Sequence, residues 1–150
     1  MHIRRLTAGD EEAACQLVEE VKFVIDDRSD ETLASPDVCA LLADERAYLL
    51  GAYVEGGPVG MILGYCFPRL DGPRPMMFLY EVGVLKQHRR RGVGRALIEE
   101  LKRFAQERDC LKMFVPTAAT NEPALALYRA AGGGGGPDPT AATFWWNWRE

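Results

Sequence analysis

The chain has 150 residues, 47% of them hydrophobic, which fits one compact domain over residues 1–150 with a real core and needs no second domain. It opens Met1-His2-Ile3-Arg4-Arg5-Leu6 and then turns polar, and no apolar run approaches a bilayer span, so the expectation is a soluble cytoplasmic protein with no membrane partner. The formal net charge of −4 is uneven: residues 1–50 hold 12 acidic and 5 basic side chains and residues 51–150 hold 10 and 13, which suggests an anionic ligand on one side and a cationic one on the other.

Residues 2–6 read as a short strand, and Thr7 as the cap of a helix over about 9–24 with an apolar stripe of Ala14, Leu17, Val18, Val21 and Ile25. A polar stretch, Asp26 to Glu31, follows, and Ser35-Pro36-Asp37 opens a second short helix. Ala47–Val54 and Val59–Phe67 are β-rich runs separated by Glu55-Gly56-Gly57-Pro58, a hairpin signature. Met76–Leu85 reads as an apolar strand, followed by a helix to about Arg108 whose outer face carries Glu99 and Arg103. A short buried strand over Leu111–Val115 would complete a β-α-β crossover with parallel strands. A further helix spans about Glu122–Ala131 and stops at the run Gly132 to Gly136, and Thr143–Trp148 alternates as a terminal strand. Cys15, Cys39, Cys66 and Cys110 are scattered through apolar patterns, which predicts four buried, reduced thiols and no metal site.

Two segments carry chemistry. In Lys86-Gln87-His88-Arg89-Arg90-Arg91-Gly92-Val93-Gly94-Arg95 a strand runs into a glycine loop and a helix start. Gly92 and Gly94 let backbone approach a ligand closely, the helix's first turn leaves N–H donors for anions, and five basic side chains surround them. In Asn121-Glu122-Pro123-Ala124-Leu125-Ala126-Leu127-Tyr128 the asparagine can cap a helix and Tyr128, seven residues on, shares its face.

Strand, R-x-x-G-x-G loop, helix, strand and then N-x-x-A-x-x-x-Y resembles the GNAT superfamily of acyl-CoA-dependent N-acyltransferases over essentially the whole chain. The resemblance implies an α/β (α+β) GNAT fold, with a central mixed, mostly antiparallel twisted sheet of six or seven strands flanked by about four helices. It implies acetyl-CoA as cosubstrate. Backbone N–H groups from about Arg90 to Arg95 (Arg90, Arg91, Gly92, Val93, Gly94 and Arg95) would then hold the pyrophosphate, with Arg89 in the same cofactor site; Val82 and Val84 would pair with the pantetheine arm, and Asn121 would touch the same cofactor. Within the superfamily, Leu79-Tyr80-Glu81-Val82, His88 to Gly92 and Pro123 to Tyr128 are similar to strings of the small aminoglycoside 3-N-acetyltransferases. Glu81 stands where those enzymes tend to have aspartate, and the Gly132 to Gly136 run replaces the usual start of the sixth strand.

An amine attacks a thioester only as the free base, so the site needs a proton acceptor. Glu81, in the strand entering the loop, fits that role directly or through a water; the alternative is that it faces solvent or pairs with an arginine. The N–H of Val84 is the natural donor to the oxyanion, and Tyr128, neutral at pH 7, suits proton donation to the departing thiolate. Asp26, Asp27, Asp30 and Glu31 form the densest acidic cluster and are expected to draw a polycationic acceptor. The leading expectation is acetyl transfer to an aminoglycoside; other amines, a protein N-terminus, or a non-catalytic acyl-CoA sensor are the alternatives. No nucleic-acid partner is expected, and Trp145, Trp146 and Trp148 read as strand packing or a homodimer contact.

Overall fold

The alternating and apolar runs of the sequence assemble one sheet in the computed structural model, which describes residues 1–33 and 35–135. Its strands are β1 (His2–Leu6), β2 (Ala47–Val54), β3 (Gly57–Phe67), β4 (Met76–Val84) and β5 (Met113–Phe114), in that spatial order. The first four pair antiparallel. β5 returns parallel to β4 after the crossover helix α4 (Val93–Glu107), as a β-α-β unit requires. The mixed, mostly antiparallel sheet matches the expectation, with five strands among the described residues where six or seven were expected. The expected terminal strand Thr143–Trp148 lies outside the described residues. The chain divides into two units, residues 1–115 and residues from 116 onward.

Two layers cover the first unit's sheet. On one face α4 comes close because β3 has no side chains at Gly60 and Gly64. A Cβ at Gly64 would lie 2.9 Å from both Leu101 methyl carbons, and one at Gly60 would lie 3.0 Å from Val93 Cγ1. The helix turns Leu97, Ile98 and Leu101 inward, all buried. On the opposite face α1 (Glu11–Leu17), a π-turn (Val18–Lys22), α2 (Phe23–Ile25) and α3 (Ser35–Ala43) surround a core of Leu6, Ala14, Leu17, Val21, Val38, Leu42, Leu49, Met61 and Leu63.

Several local expectations are corrected. The first helix begins at Glu11, and Thr7 does not cap it: Asp10 is the residue before it, and its carboxylate instead accepts the Thr7 N–H at 2.9 Å and Arg4 Nη1 at 3.1 Å. Hydrogen bonding from Thr7, then from Arg4, holds that carboxyl below its ordinary value. β5 is two residues long and partly exposed, with Leu111 outside it, because its pairing with β4 ends after Phe78 and Phe114. Of the four cysteines only Cys66 is buried and Cys39 is exposed; all four are free thiols. On the outer face of α4, Glu99 pairs with Lys102, and Arg103 with Glu100 and Glu107. No described helix is long and apolar enough to cross a membrane.

The second unit holds α5 (Glu122–Ala130). It ends as the glycines predict. Gly132 takes φ +84°, its N–H bonds Arg129 O at 3.0 Å, and the Gly133 N–H bonds Tyr128 O at 2.8 Å, the paired bonds of a Schellman stop.

Candidate functional site

After β4 the chain makes a 3₁₀ turn (Lys86–His88) and enters α4 through Arg90 at φ +60° and Gly92 at φ +82°. The turn uses the N–H groups of His88 and Arg89, bonded to Leu85 O and Lys86 O, and the helix ladder begins with Ala96 N–H on Gly92 O. Between them, the six consecutive N–H groups of Arg90, Arg91, Gly92, Val93, Gly94 and Arg95 have no hydrogen-bond acceptor among the described residues. Four of these, Gly92 to Arg95, are the orphan donors that any helix start leaves, and the turn through left-handed Arg90 adds those of Arg90 and Arg91. Lys86, Arg90, Arg91 and Arg95 are exposed and form no ion pair among the described residues. Arg89 is used differently from its neighbours: its Nε donates to Val84 O at 3.0 Å, tying the loop to the strand end. A depression of about 550 Å³, lined by Ile3, Gly92, Arg95, Ala96 and Glu99 among others, opens beside the donors. Six amides and four exposed cations without ion pairs among the described residues fit a diphosphate.

The strand that feeds this loop has one edge open. β5 pairs only with Met77 and Phe78, so among the described residues no strand meets β4 on that side from Leu79 to Val84. The Leu85 N–H bond to Val59 O at 2.9 Å sets the alternation of the β3–β4 ladder. Counting back from it, Val84 and Val82 sit at non-bonded pairs and turn their N–H and C=O groups toward the open edge. Arg89 takes the Val84 carbonyl there. The amides of Val82 and Val84 are left for an extended ligand.

A β-bulge sets the neighbouring side chains. Leu63 pairs with Glu81 and Gly64 with Leu79, leaving Tyr80 as the extra residue. A bulge redirects the side chains beside it: Tyr80 stacks edge-on with Tyr65 and Phe78, and Glu81 turns to the helix layer carrying Lys22. There Lys22 Nζ donates to Glu81 Oε1 at 2.6 Å and to Asp26 Oδ2 at 2.8 Å. Burial works against the lysine's charge, but the hydrogen bonds it donates to Asp26 and Glu81 outweigh it and raise its value above the ordinary one.

Of the acidic cluster, the structure therefore brings Asp26 to Glu81 through a shared cation. Glu31 pairs with Arg28 instead, and that guanidinium lies 4.7 Å from the Phe23 ring centre. Asp27, at φ +56°, and Asp30 are exposed without ion pairs among the described residues. In the second unit, Asn121 Oδ1 accepts the Ala124 N–H at 3.3 Å and so caps α5, with Pro123 in the first turn. Tyr128 is half-buried, and burial pushes its phenol above the ordinary value, so it stays protonated at neutral pH.

The model of the acetyltransferase (GNAT) family matches residues 12–132. The chain belongs to the GNAT acetyltransferase family. A search of curated proteins finds no match. Among solved structures, this GNAT acetyltransferase is similar to an aminoglycoside acetyltransferase from an uncultured soil metagenomic sample in complex with sisomicin, at TM-score 0.87 and 21% identity over 99% of this chain and 96% of that one. It is also similar to a ribosomal-protein-alanine N-acetyltransferase from Brucella melitensis biovar Abortus 2308, at TM-score 0.72 and 23% identity over 99% and 100% of the two chains. An aminoglycoside N-acetyltransferase in complex with CoA matches at TM-score 0.69 and 20% identity over 99% of each. Likenesses at these identities establish the fold.

For a GNAT enzyme, the residue missed by sequence reasoning is Lys22. The signal was present: it is the sole lysine before Lys86, it stands in an acidic region, and it lies four residues before Asp26. Its bond to Glu81, 59 positions away, leaves no local trace. Among the described residues, no three His, Cys, Asp or Glu side chains gather into a metal site.

Proposed function

We propose that residues 1–150 act as one acetyltransferase domain that transfers acetyl from acetyl-CoA to an amino group of an aminoglycoside, at the 3-N position suggested by the sequence likeness, by direct attack in a ternary complex. The observation that carries the cosubstrate is the run of six N–H donors from Arg90 to Arg95 that have no acceptor among the described residues. Those amides, with Lys86, Arg90, Arg91 and Arg95, hold the diphosphate; the open edge at Val82 and Val84 takes the pantetheine arm, and Asn121 contacts the same molecule. Bound acetyl-CoA supplies the thioester. Glu81 takes the proton from the acceptor ammonium at a carboxylate oxygen, the Val84 N–H donates to the thioester oxygen, and the Tyr128 hydroxyl gives its proton to the departing sulfur. The aminoglycoside as acceptor is supported by the carboxylates of Asp26 and Glu81 on one face and by the likeness to a structure that holds sisomicin. Asp27, Asp30 and Glu31 extend the acidic surface that meets the polycation.

Thiol release from acetyl-CoA, followed with a panel of aminoglycosides, polyamines, amino acids and a ribosomal-protein N-terminal peptide, tests this reading. Turnover is expected with aminoglycosides, reduced in kcat by about 10²-fold or more in Glu81→Gln and in Tyr128→Phe. No turnover with any aminoglycoside removes the acceptor assignment. Unchanged kcat in both variants removes the proton-transfer roles.

A further inference from the structure

Alternation puts Met61, Leu63, Tyr65 and Phe67 of β3 on the sheet face that carries α1, α2 and α3. Met61 and Leu63 belong to the core under those helices, whereas Phe67 is exposed. Across the ladders the same face continues in Phe78, which pairs with Tyr65, and in Phe114, which pairs with Phe78. Strict alternation would send Tyr80 and Glu81 to opposite faces. The bulge keeps both on this one, Tyr80 against Tyr65 and Phe78 and Glu81 against Lys22. Five rings therefore run in contact, with centroids 5.6 Å apart for Tyr65 and Tyr80, 5.9 Å for Tyr80 and Phe78, 5.1 Å for the near-parallel pair Phe78 and Phe114, and 6.0 Å for Phe114 and Phe67. Tyr80 is 58% exposed, and Phe67 and Phe114 are each 37% exposed. Single exposed apolar side chains need no explanation, but touching rings open to solvent mark a binding surface.

This aromatic shelf ends at a carboxylate. Glu81 Oε1 accepts from Lys22, and Oε2 has no hydrogen bond among the described residues. The Tyr65 hydroxyl lies within reach of the same charge: burial first, then Tyr80, Asp44 and Glu81, push it above its ordinary value. We propose that the shelf is the acceptor's ring subsite: an amine reaches Glu81 while the apolar face of the ring that bears it lies on Tyr80, Phe78 and Phe114, so that cyclic amines are taken in preference to linear amines of equal charge. The inference rests on Glu81 as the group that receives the acceptor's amine. Rings alone would hold any apolar molecule, and carboxylates alone any cation; side by side they fit an amine carried on an apolar skeleton. From Glu81 to Phe78 the shelf runs three residues back along β4, about 10 Å, long enough for a six-membered ring next to the amine. The C–H bonds on one face of such a ring meet the electron-rich face of an aromatic side chain, and an ammonium beside them is attracted by the same faces. A linear amine of equal charge offers fewer carbons and has to freeze its rotors to lie flat. Aminocyclitols and amino sugars are cyclic amines of the favoured kind.

The test compares cis-1,3-diaminocyclohexane with 1,3-diaminopropane, which carry the same two amines at the same spacing and differ in the ring. Dissociation constants for the full chain with CoA bound, from NMR titration, need no turnover. The ring diamine is expected to bind wild type roughly fivefold more tightly than the linear one. In Tyr80→Ala that advantage should all but vanish through weaker binding of the ring diamine, and in Tyr80→Phe it should remain. Phe114→Leu, which removes the stacked partner of Phe78, should reduce it as well and serves if Tyr80→Ala does not fold. No binding of the ring diamine, affinities equal to those of the linear one in wild type, or an advantage unchanged in Tyr80→Ala and Phe114→Leu overturns the proposal. Light scattering on the same samples reads the other occupant: a dimer that dissociates in Tyr80→Ala while the ring advantage stays intact assigns the shelf to a second copy of the chain and also overturns it. A ring advantage that depends on Tyr80, without thiol release from acetyl-CoA, keeps this inference and removes the catalytic reading; thiol release that depends on Glu81, with no ring advantage, does the reverse.

Discussion

Glu81 is defined by its surroundings. A carboxylate on a strand beside a glycine loop is a general-base candidate by type alone, and sequence reasoning allowed that it pairs with an arginine. It pairs with a lysine instead, and that lysine is shared with Asp26. Asp10 shows how a single carboxylate does structural work at the other end of the same helical layer. It joins Thr7 to Arg4, and hydrogen bonds from those two residues hold it below the ordinary carboxyl value of 3.8. Because the folded value lies below the unfolded one, the stabilisation is fully present above about pH 4 and disappears as pH falls through the lower folded value. Asp10→Asn is therefore expected to be less stable than wild type by about 1 kcal/mol at pH 7. Urea unfolding at pH 7 and pH 2 checks it: the gap should close in acid, and a gap of the same size at both values would assign Asp10 no such role.

At the scale of elements, close approach of α4 to the sheet is the feature that places the donor run beside the strand end. That approach depends on β3 lacking a side chain at Gly64. An alanine there meets two Leu101 methyls at 2.9 Å and Met77 Sδ at 3.2 Å, all within a buried, packed layer, so Gly64→Ala is expected to destabilise by about 1–3 kcal/mol. Gly83→Ala meets one atom, Ile25 Cδ1 at 2.7 Å, the end of a side chain that can turn aside, and its effect should stay under about 1 kcal/mol. Denaturant midpoints of the two variants rank them, and equal losses would refute the packing account. The strand–loop–α4 sequence was legible in the chain because its determinants are local: an apolar run, glycines at the turn and an amphipathic period. The glycines of the terminating run were legible for the same reason, and Gly132 and Gly133 close α5 as expected. The bulge at Tyr80, the π-turn before Phe23 and the brevity of β5 were not. The bulge and the short strand are decided by pairing with distant partners, Leu63 and Gly64 for the bulge and Met77 and Phe78 for β5, and a hydrophobic period contains no record of such partners.

At the scale of the whole molecule, charge is arranged against the total. The acidic first third supplies Asp26, Asp27 and Asp30, whereas Lys86, Arg90, Arg91 and Arg95 gather at the start of α4 without ion pairs among the described residues. A net charge of −4 would by itself repel an anionic cosubstrate, so the local cluster has to dominate at the distances where association is decided. Screening separates these contributions, since the Debye length falls from about 10 Å at 0.1 M salt to about 3 Å at 1 M. Exposed cations acting from several ångströms lose most of their pull over that range, whereas amide donors acting at contact, the role proposed for Arg90 to Arg95, would lose little. The KM for acetyl-CoA is therefore expected to rise as NaCl goes from about 0.05 to about 0.5 M, roughly tenfold if three or four exposed charges contribute. In Arg91→Gln/Arg95→Gln the same titration should be shallower, from a higher KM in low salt. A salt response equal to wild type in that double variant would mean that the basic residues do not steer the cosubstrate, and that the amides act alone.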